Sequence, residues 1–175
     1  MTVEPEKYMR FIAPPPVVLV STLYGEVQNV SPYGMVMPVS SNPPLLVLGV
    51  AEPRDTLANI RDIEEFVVGI PGPEYVEQVN QTAKGFPRDV SEFEKSGLTP
   101  DPSSVVKPFR IRECQVNLEC KLEWMKKAGD HWAVTGRVVF VHVDDRLDAK
   151  ANRGDLEPIY HVEGYVYARK GQIIR

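Results

Sequence analysis

Between Cys114 and Trp124 the side chains alternate without a break. Cys114, Val116, Leu118, Cys120, Leu122 and Trp124 fall on one face, and Gln115, Asn117, Glu119, Lys121 and Glu123 on the other. Side chains of a strand point to opposite faces in turn, so this period of two predicts a half-buried strand. Lys127-Ala128-Gly129-Asp130 supplies a turn, and Trp132 to Val143 returns as a second apolar run. The pair predicts a long antiparallel hairpin of the kind from which β-barrels are built. Cys114 and Cys120 would stand roughly 20 Å apart along that strand, beyond disulfide reach, and read as free thiols. Cys120 is in phase with Val116, Leu118 and Leu122 and reads as core.

The remaining elements follow from shorter patterns. A strand over about Pro16 to Leu23 turns at Tyr24-Gly25-Glu26 into a second strand through Asn29 to Val36. After Ser40-Ser41-Asn42-Pro43-Pro44, the Leu45 to Val50 run is apolar at every position, which predicts a central strand covered on both faces with the first two strands as neighbours. Asp55 reads as the N-cap of a helix through about Arg61 with Leu57 and Ile60 inward, and Phe66, Val68 and Ile70 alternate as a strand ending at Pro71. Tyr75, Val76, Val79 and Ala83 recur at helical spacing, and Val90 to Lys95 reads as a short helix stopped by Gly97. The sixteen prolines gather at the edges of these segments and leave the apolar runs intact. The sum is a mainly β, α+β chain, a β-barrel with appended helices.

Size and charge narrow the possibilities. A chain of 175 residues, 43% hydrophobic, supports one sizeable core, so residues 1–175 are expected to form a single domain. The net charge of −4, with no basic run, argues against nucleic acid as a partner, and an anionic ligand would need local groups; Arg54, Lys84 and Arg88 are the candidates. No stretch approaches the ~20 apolar residues that cross a bilayer, and MTVEPEKYMR lacks a signal-peptide core, so a soluble, cytoplasmic protein without membrane partners is expected. His131, His142 and His161 have no metal-ligand spacing, and no metal site is expected. No Ser-His-Asp arrangement, CxxC pair, GxxxxGK or GxGxxG motif is present.

One constellation carries chemistry. Between the apolar runs Val17 to Val20 and Leu45 to Val50 lie Thr22, Asn29, Ser31, Tyr33, Ser40, Ser41 and Asn42, hydroxyl and amide groups suited to the edge of a flat ligand. The same residue types also favour turns for local backbone reasons. Arg54, Thr56 and Asn59 stand at the start of the predicted helix, where backbone N–H groups and the helix dipole favour an anion, while the carboxylate of Asp55 competes for those donors. Lys84-Gly85-Phe86-Pro87-Arg88 is a short basic loop, readable as solvated surface or as a receiver of phosphates and rings.

In order along the chain, the apolar strand ending in ST, NVSPYG, SSNPPLLVLGV, RDTLANI, FVVGIP, EKSGLTP, IRECQVNLECKLEW, GDHWAVTGRVVFVHV and LEPIYHVEGYVYARKG resemble the flavin reductase-like, FMN-binding split-barrel family. The resemblance implies a Greek-key-like antiparallel split β-barrel, FMN rather than FAD as cofactor, NADH or NADPH as hydride donor to flavin N5, and a homodimer with the flavin near the subunit interface. It implies onward electron transfer to a redox protein, a monooxygenase partner, a metal ion or oxygen, with a flavoredoxin-like electron carrier or a non-catalytic flavin binder as the alternatives. As cofactor-binding positions it implies Thr22, Asn29, Ser31, Pro32, Tyr33, Ser40, Ser41, Asn42, Arg54, Asp55, Thr56, Asn59, Lys84 and Arg88, with His161 as a flavin or nicotinamide contact. The chain departs from many relatives in carrying HVEGY where they have a glycine pair.

Overall fold

The computed structural model describes residues 4–12, 14–147 and 155–171. Seven antiparallel strands form one sheet in the order β2-β1-β5-β8-β9-β4-β3. They are β1 (Val18–Tyr24), β2 (Val27–Tyr33), β3 (Val36–Ser41), β4 (Pro44–Ala51), β5 (Glu65–Pro71), β8 (Cys114–Ala128) and β9 (His131–Val143). Two small ribbons complete the β-structure: β6 (Pro100–Asp101) with β7 (Arg110–Ile111), and β10 (Ile159–Glu163) with β11 (Val166–Arg169). Helix α1 (Asp55–Ile63) follows β4, and α2 (Val76–Thr82) and α3 (Glu92–Ser96) lie between β5 and β6. This is a mainly β fold with short helices, as the sequence patterns predict.

The long hairpin is the spine of the sheet. β8 and β9 pair from Val116↔Val143 to Ala128↔His131, and Gly129, at φ +65, makes the turn. Two register shifts interrupt the pairing: at Glu119/Cys120 the extra residue is Val139 of β9, and at Leu122/Trp124 it is Glu123 of β8, which rotates the alternation of β8 beyond Leu122. The simple two-faced reading of this strand therefore fails in a specific way. Gln115, Asn117 and Glu119 are buried, whereas Trp124 is 47% exposed. Gln115 exchanges hydrogen bonds with the backbone of Glu157, while the 104–111 segment supplies backbone partners to the other two: Glu119 accepts hydrogen bonds from Ser104 N–H at 2.8 Å and Val105 N–H at 2.7 Å. Asn117 both accepts from Ile111 N–H and donates to Ile111 C=O.

Three further expectations need correction. The second strand does not run through Val36; it stops at Tyr33, and Val36 opens β3, which turns back at Asn42-Pro43 onto β4. β4 consequently lies between β3 and β9 rather than beside β1 and β2. Burial on both faces belongs to β1 and β5, whose positions 18–22 and 66–69 are all buried, because two clusters sandwich them. One cluster gathers Val18, Val20, Leu48, Phe66, Val68 and Val134 with Leu57 and Ile60 of α1. The other gathers Leu19, Val30 and Ile111 with Val79 of α2 and Phe93 of α3. Finally, Arg54 and not Asp55 is the N-cap of α1; the helix continues to Ile63 and ends at Glu64 in the left-handed conformation.

Both cysteines are free and buried, as expected. Burial pushes the Cys114 and Cys120 thiols well up from their ordinary ionisation range. A Cβ on Gly136 would stand 2.3 Å from Cζ of Phe66 and 3.2 Å from Cβ of Cys120. Phe66 is fully buried and cannot swing aside. Gly136→Ala is therefore expected to destabilise the fold by about 2 kcal/mol through overpacking, read as a lower midpoint in chemical denaturation.

Candidate functional site

Because β2 is an edge strand, it offers one side to whatever the rest of the chain brings up to it. Helix α3 brings Ser91 and Glu92. Ser91 Oγ donates to Gln28 C=O at 2.8 Å, and Glu92 Oε2 accepts from Val30 N–H at 3.3 Å, so two side chains satisfy backbone groups where a neighbouring strand would otherwise pair. Further along the same strand lies a cleft of about 380 Å³, within the size range of small-molecule sites.

The floor of the cleft is Asn29, Ser31, Pro32, Tyr33 and Gly34 of β2 and its exit, with Met35 beside them. Gly49 and Ala51 of β4 form one side, and the start of α1 enters with Arg54, Asp55 and Thr56. The opposite wall is Thr82 to Phe86, with Glu92 at its base and His131 at the rim. Cations Arg54 and Lys84 thus share the cleft with carboxylates Asp55 and Glu92.

Beneath the floor runs a chain of hydrogen bonds. Arg88 Nη2 donates to Asn59 Oδ1 at 2.8 Å, Asn59 Nδ2 to Thr22 Oγ1 at 3.1 Å, Thr22 Oγ1 to Asn29 Oδ1 at 3.3 Å, and Asn29 Nδ2 to Glu92 Oε1 at 2.8 Å. Thr22 and Asn59 are fully buried and Asn29 is nearly so. Arg88 is further held by Asp55 and Asp62 and lies over the Tyr24 ring, 3.8 Å from its centroid.

Burial raises the Tyr33 phenol above its ordinary range, opposed by its hydrogen bond with Thr56 and by the Arg54 charge. Burial also raises the Glu92 carboxyl, with Asp55 adding to the effect and the bonds from Val30 and Asn29 opposing it. His131 sits on β9 opposite Ala51, its Nδ1 2.8 Å from Asp130 Oδ1. That contact holds the Asp130 carboxyl below its usual range and leaves Nε2 as the second ring nitrogen.

Of the positions named from the sequence, the structure gathers Asn29, Ser31, Pro32, Tyr33, Arg54, Asp55, Thr56 and Lys84 around one cleft. Thr22, Asn59 and Arg88 are outside its lining and form the polar chain that supports it. Ser40, Ser41 and Asn42 are not brought to it. β3 carries them away from Gly34 to the far end of the β3–β4 hairpin, roughly 16 Å at strand rise. His161 is likewise outside the lining, in β10, with Nε2 3.0 Å from Gly164 O and its ring against Tyr167. Sequence reasoning passes over Glu92 and Gly49 and weighs His131 only as a metal ligand. Glu92 gave no signal, since a glutamate opening a short helix has the pattern of a solvated residue. His131 follows Gly129-Asp130 at the predicted turn, and only the β4–β9 pairing brings that turn to the cleft. Among the described residues no cluster of His, Cys, Asp and Glu could hold a metal ion, and no helix is long and apolar enough to cross a membrane.

The sequence pattern of the flavin reductase-like domain matches residues 9–171. The chain belongs to the flavin reductase-like domain family. Among solved structures, nitrilotriacetate monooxygenase component B from Bacillus cereus is similar at 31% identity and a TM-score of 0.89, over 100% of this chain and 98% of that one. A Shewanella frigidimarina protein described as a flavin reductase with a split barrel domain is 25% identical with a TM-score of 0.84, over 99% and 93% of the two chains. An FMN-binding protein from Thermus thermophilus, at 18% identity, shares the fold, with a TM-score of 0.83 over 100% and 97%. The sheet described above is the split-barrel fold of these flavin reductase-like proteins.

Glu92 ties the site to pH. Burial raises the point at which its carboxyl ionises in the folded protein above the ordinary 4.5, so between 4.5 and the folded value the native state binds more protons than the unfolded chain. Its contribution is fully present below pH 4.5 and is lost as pH rises through the folded value. Glu92→Gln removes this titration, and the expected result is a flatter stability curve over that window in chemical denaturation at a series of pH values.

Proposed function

We propose that this flavin reductase-like domain binds FMN in the β2–α1 cleft and reduces it with NADH or NADPH. The observation that supports this most directly is the meeting, in one cleft, of a helix N-terminus flanked by Arg54, Thr56 and Lys84 with the polar floor Asn29–Ser31–Tyr33. The first group suits a phosphate, through N–H dipoles and two cations. The second suits the polar edge of a planar ring system, with Met35 and Phe86 offering apolar contact. The donor set therefore fits FMN, although Asp55 and Glu92 subtract from the positive charge.

FMN held there would supply the hydride-accepting chemistry, and the chain's work would be to bind, align and shield. Arg54, Thr56 and Lys84 hold the phosphate end; Asn29, Ser31 and Tyr33 orient the ring edge; Phe86 and Met35 limit water. His131, its Nδ1 tied to Asp130, places Nε2 at the rim, where a nicotinamide would enter. Arg88 supports the wall and does not bind phosphate, since Asp55, Asp62 and Tyr24 already engage its guanidinium.

Exposed apolar side chains on β3 (Met37, Val39), β8 (Trp124) and β9 (Phe140, Val141) support a homodimer within the same reading. In such a dimer Ser40, Ser41, Asn42 and His161 would act at the cleft of the second copy. The likeness to a monooxygenase component makes an oxygenase a reasonable consumer of the reduced flavin, with the cytoplasm as place of work.

The test is a visible spectrum of the purified protein with FMN, before and after anaerobic NADH or NADPH. Binding followed by bleaching supports the reductase. Binding without bleaching by either nucleotide turns the assignment to an electron carrier, and no FMN uptake ends it. Arg54→Ala is expected to weaken FMN at least tenfold while leaving riboflavin, which lacks the phosphate, within about twofold; equal losses by fluorescence titration would remove Arg54 from the phosphate role.

A further inference from the structure

Glu92 is 6% exposed, lines the cleft, and is engaged at both carboxylate oxygens. Oε1 accepts from the Asn29 side chain at 2.8 Å and Oε2 from the Val30 backbone N–H at 3.3 Å. These are adjacent residues of one edge strand, so a single carboxylate from α3 fixes both the backbone line of β2 and the side chain that β2 turns toward the cleft. Thr22 secures the other end of the same carboxamide by donating to Asn29 Oδ1, and Asn59 donates in turn to Thr22. An amide with its oxygen and one hydrogen both assigned has only one orientation.

We infer that Glu92 is a positioning residue that sets, through Asn29 and the β2 edge, the pose of the ligand's ring, with Thr22 as its buried counterpart. The inference rests on the flavin reading and adds to it a division of labour. Arg54 and Lys84 hold the phosphate, whereas Glu92 and Thr22 determine how the ring lies. Neither of the latter donates to the phosphate: Glu92 is an acceptor of like charge, and Thr22 lies out of contact beneath the floor.

Glu92→Gln keeps the shape but leaves one acceptor oxygen where two donors arrive, so its NH₂ group must face either Asn29 Nδ2 or Val30 N–H. Thr22→Val keeps volume and branching while removing the hydroxyl relay between Asn59 and Asn29. Ser91→Ala removes the neighbouring edge bond to Gln28 C=O at a residue that is outside the cleft lining and leaves the Asn29 hydrogen bonds in place. It serves as the control for simple loosening of the edge.

The experiment titrates FMN and riboflavin into the wild-type full chain and the three variants, with thermal melts alongside and visible circular dichroism at saturating flavin. Glu92→Gln is expected to weaken FMN and riboflavin by a similar factor of ten or more and to change the dichroic band of the bound ring. Thr22→Val should move both flavins in the same direction, and it carries the test if Glu92→Gln does not fold. Ser91→Ala should melt lower yet keep both affinities. Wild-type affinities in Glu92→Gln and Thr22→Val overturn the inference, as does a loss confined to FMN or an equal loss in Ser91→Ala; in each case the wild-type protein still binds flavin and the functional reading stands. A wild-type chain that takes up neither flavin overturns both.

Discussion

A buried chain of hydrogen bonds, Arg88–Asn59–Thr22–Asn29–Glu92, is what the cleft depends on. It links four parts of the chain, α1, β1, β2 and the segment from Arg88 to α3. In a low-dielectric interior such a network is stable only when its members are satisfied, because each lost partner strands another polar group. That requirement couples the elements: β2 cannot drift from α3, or α1 from β1, without breaking a bond that water cannot replace. The cleft is consequently a by-product of how four elements agree on the placement of five side chains.

A second polar arrangement does the same for the far side of the sheet. Glu119 and Asn117 on β8 take the backbone of the 103–111 segment as their partners, at distances between 2.7 and 3.0 Å. An irregular stretch with little secondary structure of its own is thereby pinned to the sheet. The fold uses buried side chains in place of extra strands at two separate places, on the edge of β2 and on the covered face of β8.

This explains what the sequence made legible and what it hid. Periodicity revealed the β8–β9 hairpin, the Leu57–Ile60 face of α1 and the Gly97 stop of α3, because these depend on neighbours close in the chain. It misjudged Gln115, Asn117 and Glu119, which are buried against segments brought over from elsewhere, Glu157 for the first and the 104–111 stretch for the other two. The polar residues of β2 and the start of α1 were recognisable as ligand groups, while the division between those lining the cleft and those beneath it was not. Thr22 and Ser31 look alike in sequence; only the pairing Ser21↔Val30 and Thr22↔Asn29 places one inside the sheet and the other on its open edge. Ser40 to Asn42 were misplaced for a related reason, since nothing local announces that Gly34-Met35 ends a strand. Glu92 was invisible, its significance arising entirely from contacts more than sixty positions away.

The two sealed thiols have a practical corollary. A sulfhydryl reacts with electrophiles as its anion, and burial disfavours that anion at Cys114 and Cys120. Both lie on β8 next to β5, with Cys120 paired to Phe66 and Cys114 to Pro71. Cys120 is buried in the cluster that α1 covers and Cys114 in the cluster that α2 and α3 cover, so alkylating reagents gain access only when the packing over that face opens, and the rate of labelling at each position clocks the breathing of one side of the sheet with no engineered probe.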